Sequence, residues 1–244
     1  MTDPRTSIIN ERLKPIRRII AVSSGKGGVG KSLIATTLAL ELSRRNCKVG
    51  LFDLDFTSPT THIILGTHDK QPTEDKGLIP PTINGLEYMS IVYYTKDQAA
   101  PLRGQDTSNV LIELLAVTRW SNLDYLILDM PPGIGDAVLD LIRLVKNIEF
   151  IVVTTPSQLA FETVKKLAML LQELHVPVIG IVENMKQNKE PSIRTQTKKL
   201  NLPYLGEIPF DPAVEEAIGN PPALLNTAIA EEATKIATKI MRKN

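Results

Sequence analysis

Between Ser23 and Ser32 the chain reads Ser-Ser-Gly-Lys-Gly-Gly-Val-Gly-Lys-Ser, with four glycines, two lysines and no bulky side chain except Val29. An apolar run, Arg17–Ser24, leads into it, and the amphipathic stretch Lys31–Arg45 leads out. A buried strand that passes through bare backbone straight into a helix opens a strand–helix–strand unit. Such units close onto a parallel sheet with a right-handed crossover. No other stretch restricts the fold so sharply.

The remaining chain fits that restriction. Cys47–Asp55, Leu123–Met130, Phe150–Pro156 and Val176–Met185 are nearly continuous in apolar residues, as parallel strands covered on both faces should be. Leu86–Ile91 and Tyr204–Phe210 read as two further strands. In Ser157–Leu174, the residues Ala160, Val164, Leu167, Ala168, Leu171 and Leu174 form one apolar stripe at helical spacing, with Ser157 as N-cap. Thr227–Arg242 reads as a closing helix. The expected fold is α/β, a doubly wound and mostly parallel sheet. At 244 residues and 43% hydrophobic, the chain can bury a full core. We read 18–244 as one domain, 1–17 as an N-terminal extension, and the polar stretches Thr67–Asn84 and Lys186–Thr197 as mobile loops.

Gly25, Gly30, Lys31 and Ser32 fall at the Walker A spacing, in the strand-to-helix context that this motif requires. Glycines let successive backbone N–H groups approach phosphate oxygens, and the following helix adds its unpaired donors and the positive end of its dipole. Lys31 would neutralise the β- and γ-phosphates, and the Ser32 hydroxyl would ligate Mg²⁺. Asp129, ending the apolar run Tyr125–Leu128, is the expected metal-side acid, although an isolated strand-end aspartate also caps turns. Pro131 and Pro132 stiffen the exit, so that Gly133 can present its N–H to a γ-phosphate. Asp53 and Asp55 lie two apart on an extended chain and so share a side. Asp53 is assigned to the metal's water shell and Asp55 to orienting the attacking water; an Asx turn ahead of Ser58-Pro59 is the structural alternative for Asp55.

The early lysine, Lys26, makes this loop resemble the deviant Walker A loop of the MinD/ParA/nitrogenase-iron-protein class of P-loop ATPases. Within that class, Trp120–Asp136, Val152–Leu170, Val176–Met185 and Leu205–Val214 are similar to the Mrp/ApbC family of iron–sulfur carrier ATPases. So is Leu102–Gly104, ahead of a helix taken to contain Trp120. The resemblance runs from about Arg18 to the closing helix. It implies a cytoplasmic homodimer that binds and hydrolyses ATP with Mg²⁺ and holds or passes a [4Fe–4S] cluster to client proteins. Gly25, Lys26, Gly27, Gly28, Val29, Gly30, Lys31, Ser32 and Leu33 would cradle the nucleotide, with Lys26 reaching the partner's nucleotide. Asn184 would read the adenine, with Pro209 and Asp211 on its other side.

The resemblance also implies a Cys-x-x-Cys motif after Val182-Glu183-Asn184-Met185, and none is present. The chain has one cysteine, Cys47, ahead of a strand and read as a small buried hydrophobe. His62, His68 and His175 are scattered without ligand spacing and read as surface or loop residues. Three functions stay open: an ATPase in iron–sulfur or related metallocofactor assembly, a nucleotide-dependent dimerisation switch recruiting a partner or membrane, and an ATP-binding adaptor with negligible turnover. A formal charge of +1, from 28 basic and 27 acidic residues, gives no footprint for nucleic acid. The closing helix carries Glu231 and Glu232 in its first turn and Lys235, Lys239, Arg242 and Lys243 after them, a distribution suited to a core-packed helix rather than a membrane anchor. The start of the chain has no apolar leader run, and no stretch is long enough to span a bilayer.

Overall fold

The computed structural model describes residues 5–67, 70–95, 105–187 and 192–242. His68, the Leu102–Gly104 run and Lys243 lie outside the described residues. In chain order the elements are α1 (Arg5–Leu13), β1 (Arg18–Ser24), α2 (Lys31–Arg44), β2 (Val49–Asp53), α3 (Thr61–Leu65), β3 (Thr73–Glu74), β4 (Leu78–Ile79), β5 (Thr82–Ile83) and β6 (Leu86–Ser90). They continue with α4 (Val92–Thr95), α5 (Gln105–Val117), β7 (Tyr125–Asp129), α6 (Asp136–Leu144), β8 (Ile148–Thr154) and α7 (Gln158–Glu173). The last are β9 (Val178–Lys186), α8 (Arg194–Lys199), β10 (Tyr204–Pro209), α9 (Ala213–Glu216), α10 (Pro221–Leu224) and α11 (Ala228–Arg242).

Eight strands form the main sheet in the order β10-β9-β8-β1-β7-β2-β6-β5. Every pairing is parallel except that of β5 with β6. The chain winds away from β1 to both sides, so the loop after β1 opens at the crevice where the winding reverses, the usual ligand position in such sheets. Alternate side chains of each central strand enter different cores. Ile19, Ala21, Phe52, Leu126, Leu128, Phe150 and Val152 pack toward α1, α5, α6 and α7. Ile20, Val22, Leu51, Ile127, Ile151 and Val153 pack toward α2, α3 and α11. Burial on both faces is why these strands read as unbroken apolar runs.

The sequence-based strands and long helices agree with the structure to within a few residues at their ends. Ser157 is the N-cap of α7, its hydroxyl accepting from the Ala160 N–H at 3.5 Å. Four features differ. The N-terminal extension contains α1, whose Ile9 and Leu13 join the core against α5 and α6. Part of the first polar stretch is structured: β3 pairs with β4 and β5 joins the sheet edge. The second polar stretch runs into α8. Trp120 lies beyond α5 and packs on Phe52 with ring centroids 5.5 Å apart. Among the described residues no helix is long and apolar enough to cross a membrane.

Candidate functional site

Register brings the site together. Val22 of β1 and Asp53 of β2 both stand level with Asp129 of β7. The loops leaving these three adjacent strands therefore emerge side by side. They enclose a cavity of ≈ 430 Å³ lined by Gly27 to Leu33, Asp55, Thr57, Ser58, Thr60 and Pro132, among others.

Lys31 begins α2 and turns its ammonium inward. Nζ donates to Asp129 Oδ1 at 2.6 Å and to Ser32 Oγ at 3.1 Å, and it lies 4.0 Å from Asp55 Oδ2. The second Asp129 oxygen, Oδ2, is buried with no hydrogen-bond partner. Burial raises the Asp129 pKa, with the Lys31 charge pulling the other way. A buried carboxylate oxygen left unpaired beside a hydroxyl is chemically suited to a hydrated divalent cation once the Lys31 ammonium turns from Asp129 to an anion. Among the described residues no group of three or more His, Cys, Asp or Glu is placed to hold a metal by itself, so waters and phosphate oxygens would complete the coordination.

The glycines divide by what surrounds them. A Cβ on Gly27 or Gly28 would meet nothing within 4 Å, so their backbone faces open space. A Cβ on Gly25 would instead strike Thr163 of α7, lying 2.6 Å from its backbone carbonyl carbon. Gly25 thus owes its identity to helix packing as much as to phosphate access. Lys26 is exposed at the loop's outer side.

Asp53 and Gly133 have other hydrogen-bond partners in this structure. Asp53 was assigned to the metal's water shell, yet it is fully buried. Its Oδ2 accepts from the Thr61 N–H (3.2 Å) and Oγ1–H (2.7 Å), and its Oδ1 accepts from the Asp55 N–H (3.1 Å). β2 ends at Asp53, so the alternation that would place Asp53 beside Asp55 no longer applies. Burial, reinforced by Asp129, pushes the Asp53 carboxyl up to about 7. Gly133 was expected to offer a free N–H, but that N–H donates to Ser24 O at 2.9 Å and ties the loop after β7 to the end of β1. Asp55 does face the cavity. Its Oδ1 accepts from Thr57 Oγ1 (2.9 Å) and Ser58 N (3.3 Å), the Asx-type turn foreseen as the alternative, leaving Oδ2 toward Lys31.

A second cavity of ≈ 370 Å³ gathers Leu33, Asn184, Pro209 and Asp211 as the sequence suggested, together with Met185, Phe210 and Val214, which it did not. The Asn184 amide is nearly buried and donates from Nδ2 to Val29 O at 2.8 Å, which ties one of its two N–H groups to the glycine loop. The Asp211 carboxylate is engaged as well, Oδ1 with the Ala213 N–H and Oδ2 with the Ala228 N–H. Phe210 is 57% exposed at the rim. An aromatic residue directly after a strand, before Asp-Pro, was the signal available for it. Thr57 and Thr60 were also missed, because hydroxyls in a turn carry no spacing pattern.

With that geometry in hand, the comparisons with known proteins are decisive. A family model described as ParA: NUBPL iron-transfer P-loop NTPase matches residues 15–244. The chain belongs to this NUBPL family. Among its relatives, the iron–sulfur cluster carrier protein of Methanocaldococcus jannaschii is 36% identical over 254 residues, covering 96% of this chain and 88% of that protein. The carrier protein of Rickettsia felis is 39% identical over 204 residues, covering 83% of this chain. The chain spans 64% of the length of that relative and 58% of the Escherichia coli carrier protein, which is 39% identical. Among solved structures, a nucleotide-binding protein of Archaeoglobus fulgidus in complex with ADP matches with a TM-score of 0.75 at 28% identity, covering 94% of this chain and 92% of that one. The cell division ATPase MinD of Pyrococcus furiosus shares the fold, with a TM-score of 0.72 at 21% identity over 93% of this chain and 100% of that one.

The NUBPL-family chain departs from a cluster-binding composition at one point. Its only cysteine, Cys47, is half-buried before β2, at the end of the sheet opposite the phosphate loop. His62, expected at the surface, is buried on α3, whereas His175 is exposed in the turn after α7.

Proposed function

We propose that the protein is a homodimeric ATPase acting in iron–sulfur cluster handling, with ATP bound across the two cavities. The observation that carries this is the meeting of Lys31, Ser32, Asp55 and the orphaned Asp129 oxygen around space that Gly27 and Gly28 leave open. In this reading the backbone of Gly27–Ser32 and the N-terminus of α2 bind the β- and γ-phosphates. Ser32 Oγ and Asp129 Oδ2 would hold Mg²⁺, which would supply charge neutralisation at the phosphates. Lys31 leaves Asp129 for the phosphates, and Asp55 Oδ2 orients the attacking water. The base enters the second cavity, against Leu33 and Pro209, with Phe210 as an aromatic wall and Asn184 beside it.

Support for a second copy comes from exposed apolar side chains toward the phosphate-loop edge. Ile134, Leu139 and Leu159 are 42%, 43% and 79% exposed. A facing subunit would cover them and bring in Lys26, supplying positive charge in trans to the partner's nucleotide. The closing experiment is titration of ATP and Mg²⁺ into the full chain, with oligomeric state followed by light scattering. Micromolar binding with ATP-dependent dimerisation is expected. Failure of the wild type to bind nucleotide would end the proposal.

A second reading, a nucleotide-dependent switch that recruits a partner without carrying cargo, is favoured by the single cysteine. Transfer of iron and sulfide to a cluster-accepting protein separates the two, since a pure switch shows none.

A further inference from the structure

A [4Fe–4S] cluster is held by about four thiolates. These 244 residues contain one cysteine, so two copies supply two. Cys47 precedes β2 and Asp53 ends it, which puts the thiol roughly 20 Å along the strand from the nucleotide edge. Burial and the Asp124 carboxylate both raise its pKa, away from the thiolate a metal needs. The family's cargo does not fit the ligands of this chain.

The connection from β9 to β10 is closed by other means. Glu183 is completely buried on β9, immediately before Asn184. Its Oε2 accepts from Tyr204 Oη at 2.7 Å and Ser192 Oγ at 2.9 Å, and its two oxygens share the Ile193 N–H at 3.3 and 3.4 Å. Lys186 Nζ lies 3.6 Å from Oε1. A single carboxylate thus joins the end of β9, the approach to α8 and the start of β10. Donors to an ionised acceptor are the stronger class of hydrogen bond, and a fully buried carboxylate needs them.

We propose that these 244 residues hold no [4Fe–4S] cluster on thiolates of their own, and that the Glu183 carboxylate, without metal, ties β9 to the approach to α8 and to β10. The cargo half rests on the proposed role in cluster handling, whereas the clasp stands on geometry alone.

Anaerobic reconstitution of the full chain with ferrous iron and sulfide, as wild type and Cys47→Ser, tests the first half. Iron and acid-labile sulfide are counted after desalting, and ATP affinity is measured on the same samples. Both proteins are expected to retain less than one iron per chain and to bind ATP equally. A dimer holding a stable cluster that Cys47→Ser abolishes overturns the proposal. Lost ATP affinity in the wild type would sink the ATPase reading and leave the iron count to stand or fall separately. The clasp is tested by hydrogen exchange in Tyr204→Phe and Ser192→Ala, which are milder than loss of Glu183. Exchange across Ile193–Lys199 is expected to quicken about tenfold in each, the equivalent of one charge-assisted hydrogen bond. Exchange at the wild-type rate in both variants rules the clasp out.

Discussion

The Lys31 ammonium donates to Asp129 Oδ1 at 2.6 Å with both side chains shut off from solvent, 6% and 0% exposed. The phosphate loop after β1 and the acid at the end of β7 are therefore held together by a buried ion pair that ATP would have to rearrange. Lys31→Ala should weaken ATP binding by at least tenfold, about 1.4 kcal/mol. It should also destabilise the fold, because removing one partner from a buried pair costs about 3–5 kcal/mol. Adding Asp129→Asn to Lys31→Ala should recover part of that stability while leaving ATP binding weak. Urea unfolding and calorimetric titration check both, and unchanged affinity in Lys31→Ala would remove it from the phosphate site.

Asp55→Asn preserves size and the Thr57 contact but removes the charge facing Lys31. ATP binding should persist, while turnover falls ~10²–10⁴-fold if the carboxylate orients or deprotonates water. Steady-state phosphate release measures this. A normal rate would leave Asp55 as a turn-former alone.

Lys26 is exposed while Lys31 is buried, so their deletions should differ in kind. Lys26→Ala should bind ATP normally and lose turnover by ~10³–10⁵, the range for a cation inserted in trans. Mixing Lys26→Ala with Asp55→Asn should restore part of the activity through hybrid dimers with one intact site. Mixtures no faster than either variant alone would count against a cross-subunit lysine.

Gly25 and Gly27 offer a matched pair. Gly25→Ala drives a methyl into Thr163, including its backbone, and should cost about 1–3 kcal/mol as overpacking does. Thr163→Ala should relieve that only in part, since the backbone contact remains. Gly27→Ala has open space and should leave the melting temperature within a degree or so of wild type, yet weaken ATP binding by placing a methyl where phosphate would lie. Equal destabilisation in the two variants would refute the distinction.

Ile9 is fully buried on α1, outside the part of the chain read as the nucleotide domain. Ile9→Ala should destabilise by about 2–5 kcal/mol, the cost of a large-to-small core change. A cost near zero in chemical denaturation would show that α1 is dispensable.

Much of the site was legible because its informative residues are neighbours in the chain. Gly25 to Ser32 declare a glycine loop between strand and helix, and the apolar run ending at Asp129 declares the facing acid. Asn184, Pro209 and Asp211, expected around one base, line one cavity together. What stayed illegible was the commitment of individual polar groups. One Asn184 N–H goes to Val29 O, the Asp211 oxygens accept from Ala213 and Ala228, and the Gly133 N–H goes to Ser24 O. Hydrogen-bond partners are chosen by distance in space, which no local spacing encodes.

Sequence alone determined the parallel α/β architecture, the phosphate loop and the lack of a thiolate set, since period, glycine placement and cysteine count are properties of the linear chain. Only the tertiary structure decided that Asp53 turns to Thr61 while Asp55 faces Lys31, that α1 completes a core, and that Glu183 clasps β10. Each of those depends on which distant segment the packed sheet brings within a few ångströms.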